Sequence, residues 1–337
     1  GWQVVVEKNK FKANDLAVFF EIDSLLPCVE PFLFLEGRGR KRIDDGSEGY
    51  RLRTIKLRGV LSQGLLMPIS SFAHIFNIGE RSAKLMGMSE VYVPGTDVTD
   101  VLGIKKYEPP VPAQLVGQVK GTFPSFIRKT DQERIQNLPE YFEKFGDMIF
   151  EVTEKIDGTS ATYYINNGTY GVCSRNMEMK LNEENESNLY VKMGKTFELD
   201  KVLLTIGRNL AIQGEIAGPG IQKNRLQLKE VKFFVFDIYD IDEQKYLTSE
   251  ERQQVFLSIQ NLVSQNEIFN HVPIVGPPVS LNDLKDIDGT LKFVSGKSFV
   301  NPNCEREGFV FKSLDYNYGQ IISFKAISNT YLLGEKD

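Results

Sequence analysis

The sequence predicts an α+β fold in two parts, and three observations carry that expectation. Short β-branched and aromatic runs, separated by turn residues, fill residues 1–105. A Pro-rich stretch, Tyr107–Ala113, follows. Beyond it, longer strand-like runs alternate with two stretches opened by capping-box patterns. A length of 337 residues agrees with about two domains.

In chain order, Val4–Val6 and Leu16–Ile22 read as strands, separated by the polar turns Lys8-Asn9-Lys10 and Asn14-Asp15. Leu61–Ile69 is a third run, Ser70–Phe76 a helix-like interruption, and Val91–Val93 a strand ahead of the Pro94-Gly95 turn. Short strands at this spacing suggest a small barrel or sandwich over residues 1–106. Three prolines within Tyr107–Ala113 cannot continue a helix, so the linker is placed at residues 107–124. In residues 125–337, Thr130-x-x-Glu133 predicts a helix through about Phe145, and Ile149–Ile156 a strand. Ala161–Ile165 and Thr169–Ser174 flank Asn166-Asn167-Gly168, a hairpin signal. Leu210–Ile216 and Lys232–Ile241 read as buried strands. Thr248-x-x-Glu251 opens a helix with Val255, Phe256, Ile259, Leu262 and Val263 at helical spacing. Gly308–Ser313 and Gln320–Ile327 are two late strands.

Composition narrows the function. The net charge of −5 excludes a uniformly cationic nucleic-acid coat but allows local patches. One such patch is residues 38–58, with eight basic and three acidic side chains. Three scattered cysteines cannot build a disulfide framework or a four-Cys zinc site, and two distant histidines argue against a His-based metal cage. No apolar run approaches ~18 residues and no secretory signal is visible, so the expectation is an intracellular protein off the membrane. The chain opens on Gly1-Trp2-Gln3 rather than Met, which suggests that natural N-terminal residues precede it.

The strongest chemical signal is Glu154-Lys155-Ile156-Asp157-Gly158-Thr159. A lysine amine is a nucleophile only when neutral, so it needs burial or a cationic neighbour to lower its pKa. Gly158 lets the backbone pass close to another group. Alone, K-x-D-G is a weak pattern and equally a surface turn. Five more elements follow in order: Ser174-Arg175-Asn176, Gly214–Gly218, Phe233–Asp237, Glu307–Lys312 and Phe324–Asn329. The ordered set resembles the covalent nucleotidyltransferases, the superfamily of ATP-dependent ligases and capping enzymes. Arg51–Gly59 with Leu61–Gly64, Phe123–Asn137 and Ser328–Leu333 make it similar in particular to RNA ligases of the Deinococcus/Naegleria type.

That resemblance implies an N-terminal OB-like β-barrel followed by a nucleotidyltransferase (ATP-grasp-like) domain of antiparallel sheets with flanking helices. It implies an ATP-dependent RNA ligase that joins 3′-OH and 5′-phosphate ends, in a nicked duplex, through a lysyl-AMP and an adenylylated 5′ end. Lys155 would be the nucleophile toward the ATP α-phosphate. Asp157 and Glu307 would hold Mg²⁺ or Mn²⁺ through waters. Glu215 would take the ribose hydroxyls, Arg175 the ribose or a 5′-phosphate. Phe236 would stack on adenine and Glu154 meet its edge, while strand alternation puts Phe234, not Phe233, on the face of Phe236. Gly158 would line the nucleotide, and Lys312 and Lys325 would neutralise phosphates. Many relatives carry Lys-x-Lys in the last motif; this chain has Ser323-Phe324-Lys325. RNA contacts are expected from Arg51, Arg53, Lys56 and Arg58 and from Ser125, Arg128 and Lys129, with exposed N–H groups at a helix start near Thr130. A monomer is expected. DNA ligases and capping guanylyltransferases are the rival reading, but they place the OB domain after the catalytic one; a non-catalytic relative is the third.

Overall fold

The computed structural model describes residues 2–43, 46–57, 60–73, 94–107 and 117–334. The chain divides into two compact units, Gly1–Ala113 and Gln114–Asp337. Half of the expected linker, residues 108–116, lies outside the described residues. Its C-terminal end does not act as linker, because residues 119–122 form an edge strand of the second unit.

The first unit holds strands β1 (Ala17–Phe20), β2 (Ser24–Pro27), β3 (Arg40–Arg42), β4 (Glu48–Arg51), β5 (Thr54–Leu57), β6 (Val60–Gln63), β7 (Leu65–Pro68) and β8 (Lys105–Lys106). They pair as β1-β7, β5-β6 and a four-stranded sheet β3-β4-β2-β8. Phe20, Phe32 and Phe72 meet at the centre of its core, with the Phe20 and Phe32 rings edge to face at 5.3 Å. The run Leu61–Ile69 is two strands rather than one. Gly64 breaks it at φ +112°, where a Cβ would lie 2.4 Å from Phe20 O. Val4–Val6 forms no strand; Val5 N donates to Ser62 Oγ at 3.0 Å instead of joining a ladder. The helix-like stretch Ser70–Phe76 opens as a 3₁₀ turn, Ile69–Phe72; its residues 74–76 and the expected strand Val91–Val93 lie outside the described residues.

The second unit holds β9 (Val119–Thr122), β10 (Ile149–Lys155), β11 (Thr159–Asn166), β12 (Thr169–Ser174), β13 (Met177–Met179), β14 (Leu210–Ala217), β15 (Lys232–Asp240), β16 (Lys245–Tyr246), β17 (Phe269–His271), β18 (Val279–Ser280), β19 (Gly308–Ser313) and β20 (Ser323–Ile327). One sheet runs β16-β15-β14-β11-β12-β13-β9, with β17 added parallel to β15. The other runs β18-β10-β19-β20. β10 belongs to the smaller sheet and β11 to the larger, so the chain crosses between sheets at Ile156-Asp157-Gly158. The larger sheet buries Tyr163, Ile212, Phe233 and Val235 against the helices Leu189–Thr196, Leu199–Ile206 and Ser249–Gln260. The smaller sheet buries Phe150, Phe311 and Phe324 against Leu281 and Val294.

Local signals account for several elements. Asn167 (φ 48°) and Gly168 (φ 76°) make the β11–β12 turn, as a two-residue hairpin with this twist requires. Thr248 and Glu251 form a reciprocal capping box on Ser249–Gln260. That helix buries Phe256 and Ile259 but ends at Gln260, leaving Leu262 exposed. The helix expected from Thr130 to Phe145 does not form. Residues 130–133 form no helix, Lys325 N donates to Glu133 O at 2.8 Å, and Arg134, in an extended conformation, bridges Lys325 in parallel. Only a 3₁₀ turn, Ile135–Asn137, and one helical turn, Tyr141–Lys144, remain. Pro139 removes a backbone donor from the middle of the expected helix, while the edge of β20 offers the upstream residues a ladder.

Candidate active site

Lys155 is the last residue of β10 and stands opposite Gly308 of β19, so Glu307 is its neighbour across the ladder. Lys155 Nζ lies 2.8 Å from Glu307 Oε1. Gly308, at φ +157°, leaves no room for a side chain, because a Cβ would meet Ala326 O at 2.1 Å. From the other sheet, Glu215 on β14 pairs with Ser160 on β11. Gly158 permits this approach, since a Cβ there would lie 2.2 Å from Ile216 O and 3.0 Å from Glu215 Cγ. The sheet crossing therefore gathers Lys155, Asp157, Glu215 and Glu307.

Their electrostatics are unbalanced. Burial disfavours the Lys155 ammonium, but the carboxylates of Glu307, Glu215 and Asp157 outweigh it and raise its pKa. Burial, reinforced by Glu307 and Asp157 against the attraction of Lys155, pushes Glu215 up to about 8. Burial likewise raises Glu307, with Lys155 and, more weakly, Lys325 pulling the other way. Glu307 Oε2 is buried without a hydrogen-bond partner. Excess negative charge and an orphan carboxylate oxygen suit a divalent cation. Among the described residues no three Asp, Glu, His or Cys side chains group closely enough to hold one directly. The donor set therefore fits an ion that keeps most of its waters, as Mg²⁺ does.

Beside this cluster lies an apolar wall of Ile156, Phe234 and Val272, with Phe236 and Val300 packed on it. Phe233 points into the opposite core, as alternation along β15 requires. Glu154 is buried here. Its Oε2 accepts from Phe299 N at 2.7 Å, its Oε1 has no partner, and burial raises its pKa. Lys312, expected at the phosphates, is paired inside the protein. Its buried ammonium donates to Phe236 O at 2.6 Å and to Asp237 Oδ1 at 2.7 Å, and lies 5.8 Å from the Phe236 ring. A lysine removed from water takes the nearest buried carboxylate. Ser323 faces Lys312 across the β19–β20 ladder, and Lys325 faces Val310.

Arg175 is half exposed and pairs with Asp131 at 2.9 Å, and its charge is felt at Glu215. Ser125, Arg128 and Lys129 are exposed on the adjoining segment. Arg128 O anchors that segment by accepting from Gln213 Nε2 at 2.9 Å and Tyr246 OH at 2.8 Å. The helix start expected at Thr130 is absent, so no helical N–H groups are offered there. In the first unit, Arg51 pairs with Asp23 at 2.7 Å and stacks over Tyr107 at 4.5 Å; Arg53 is half-buried. Arg58 and the side chain of Lys56 lie outside the described residues.

Sequence reasoning missed a second set. Arg252, 1 % exposed, is bound by Glu151 and donates from Nε to His271 Nε2 at 3.1 Å. His271 Nδ1 meets Val272 O at 2.7 Å, so the neutral ring carries its proton on Nδ1. Arg306 donates to the carbonyls of Val294, Ser295 and Lys297 and so holds the loop whose Phe299 N–H reaches Glu154. None of these stands in a recognisable pattern; the capping box that orients Arg252 is the nearest signal.

The RNA ligase family model matches residues 148–327, and an OB-fold domain model matches residues 1–69. No curated protein matches the chain. Among solved structures, a Naegleria gruberi RNA ligase mutant with AMP and Mn is 39 % identical, with a TM-score of 0.84 over 100 % of this chain and 92 % of that one. Another mutant of that ligase, with ATP and Mn, is 39 % identical with a TM-score of 0.83 over the same shares. The same ligase with PPi gives 0.81 at 39 % identity over 98 % and 90 %.

Proposed function

The chain belongs to the RNA ligase family and is an ATP-dependent RNA ligase with an N-terminal OB fold, and we propose how its residues divide the work. ATP and a divalent metal are its cofactors. Lys155 is the nucleophile: its amine attacks the ATP α-phosphate, forming lysyl-AMP and releasing pyrophosphate. AMP then passes to an RNA 5′-phosphate, and a 3′-OH displaces it to form the phosphodiester.

The observation that carries this reading is the Lys155–Glu307 pair at the sheet crossing, with Asp157 and Glu215 around it. Asp157 and Glu307 hold the hydrated metal, whose charge favours the neutral amine and offsets the phosphate charge. Glu215 accepts from the ribose hydroxyls. Phe236 stacks on adenine over the Lys312–Asp237 pair, and Glu154 Oε1 accepts from the base edge. Lys325 meets the phosphates, and Arg175 the ribose or the 5′-phosphate. Ser125, Arg128 and Lys129, and in the OB domain Arg51, Arg53, Lys56 and Arg58, contact the RNA backbone. The substrate is a nicked duplex and the enzyme works as a monomer. Among the described residues no helix is long and apolar enough to cross a membrane, and all three cysteines are free, which supports a reducing intracellular compartment. Incubation with labelled ATP and Mg²⁺ is expected to give a covalent AMP adduct that Lys155→Ala abolishes. A wild-type protein that forms no adduct refutes the assignment.

A further inference from the structure

Residues 123–131 run as a strap over the face of the larger sheet that bears Glu215. Alternation along β14 puts Ala211, Gln213, Glu215 and Ala217 on one face and Ile212 and Ile216 on the other. The packing agrees. Ile212 and Ile216 join the core under the helices, whereas Ala211 packs with Ile127 of the strap and Ala217 lines the apolar wall of the nucleotide pocket. Between Ala211 and Glu215 stands Gln213, 1 % exposed, whose Nε2 donates to Arg128 O at 2.9 Å. Its Oε1 is buried without a partner. On β16, Tyr246 OH donates to the same carbonyl at 2.8 Å, and its ring packs edge to face on Tyr239 at 5.1 Å. The strap is tied at both ends as well. Phe123 N donates to Asn176 O at 2.8 Å, Lys129 Nζ to Asn176 Oδ1 at 2.9 Å, and Asp131 pairs with Arg175.

A buried amide with an orphaned oxygen is a stability cost that an apolar side chain of the same size avoids. What this amide does is hold one carbonyl. A carbonyl gripped by two donors from two strands does not slide along the sheet, so the exposed side chains around it, Ser125, Arg128 and Lys129, keep a fixed place. That place is set against the ribose site, because Gln213 and Glu215 are one two-residue step apart on the same face of β14, about 6.7 Å. After lysyl-AMP has formed, an RNA 5′-phosphate must come to this point: one of its oxygens attacks the lysyl-AMP phosphorus and the Lys155 amine leaves. We propose that Gln213 and Tyr246 are positioning residues that lock the strap, at Arg128 O, in register with the ribose site, so that it seats the RNA 5′ end for AMP transfer and takes no part in lysyl-AMP formation. This rests on the RNA contacts assigned above to Ser125, Arg128 and Lys129.

Gln213→Leu and Tyr246→Phe each remove one donor and keep the apolar bulk. The two steps are followed separately: lysyl-AMP formation from labelled ATP and Mg²⁺, and single-turnover transfer of AMP from the preformed enzyme–AMP to a nicked RNA duplex. Lysyl-AMP formation is expected to stay within about twofold of wild type, while the RNA concentration for half-maximal transfer rises about threefold in each variant and about tenfold in the double variant. Melting temperatures should stay within about 4 °C of wild type. Tyr246→Phe, which loses only a hydroxyl at a half-buried position, carries the test if Gln213→Leu fails to fold. Arg128→Ala combined with Lys129→Ala is the reference for the RNA contacts and should weaken transfer at least as much, with a shallower salt dependence. Wild-type transfer in the Gln213 and Tyr246 variants, with the reference impaired, overturns the positioning role and leaves the RNA assignment standing. A loss shared equally by both steps also overturns it, making the strap a support of the nucleotide pocket. Wild-type transfer in the reference overturns both.

Discussion

The ladder between β10 and β19 carries two lysine–carboxylate pairings. At one end Lys155 stands opposite Gly308 and pairs with Glu307; further along, Glu151 stands opposite Lys312. At the second position every charge is answered: Glu151 by Arg252, Lys312 by Asp237, with His271 neutral against Arg252. At the first, one lysine faces three carboxylates and an oxygen of Glu307 has no partner. The same residue types on the same two strands thus make a closed structural lock and an open reactive cluster. The difference is stoichiometry: a buried pair with its hydrogen bonds filled has nothing left to bind, whereas a surplus of carboxylate demands a cation from outside.

The comparison can be broken at either end. Lys312→Met strands Asp237 in the interior, and denaturant unfolding should show a loss of about 3–5 kcal/mol. A stable but inactive Lys312→Met would move Lys312 into the reactive cluster. Glu307→Gln should do the reverse, slowing lysyl-AMP formation by about 10²–10³-fold with melting within ~2 °C of wild type. A melting point that falls as far as in Lys312→Met would make the open end structural as well.

The lock also predicts a pH dependence. Burial, and next Arg252, depress His271 to about 4 from an unfolded value near 6.5. Above pH 6.5 both states are neutral and the folded protein keeps its full stability. As pH falls through 6.5 the unfolded chain takes up a proton that the folded chain refuses, until about 3 kcal/mol is lost near pH 4. Thermal melting of His271→Gln across pH 4–7 should be flatter than wild type; equal slopes would place the acid sensitivity elsewhere. The smallest effect belongs to Thr248→Ala, which removes the cap of the helix bearing Arg252 and should cost about 1 kcal/mol without changing adenylylation.

Much of this was legible beforehand. The hairpin at Asn167-Gly168, the capping box at Thr248 and the split of Phe233 from Phe234 depend on neighbours within a few residues, and each reads correctly from local pattern. The K-x-D-G lysine and its downstream motifs pointed to the family that the comparisons show. The helix at Thr130 failed because two conformations competed for the same residues, and the edge of β20 prevailed. The pairing of Lys312 was not legible for a similar reason: its partner Asp237 lies 75 positions away in the chain.

By itself, then, the sequence determined the chemistry and the local turns, since covalent spacing alone sets which side chains lie within one strand, cap or hairpin. Only the tertiary structure decided which charges meet. Lys155 finds Glu307, Lys312 finds Asp237 and Arg252 finds Glu151 through strand register and sheet crossing. Those partners are far apart in the chain. Whether a charge ends up paired, surplus or orphaned follows from the burial and neighbours that the packed sheets impose, and that is what separates the lysine proposed as nucleophile from the one paired with Asp237.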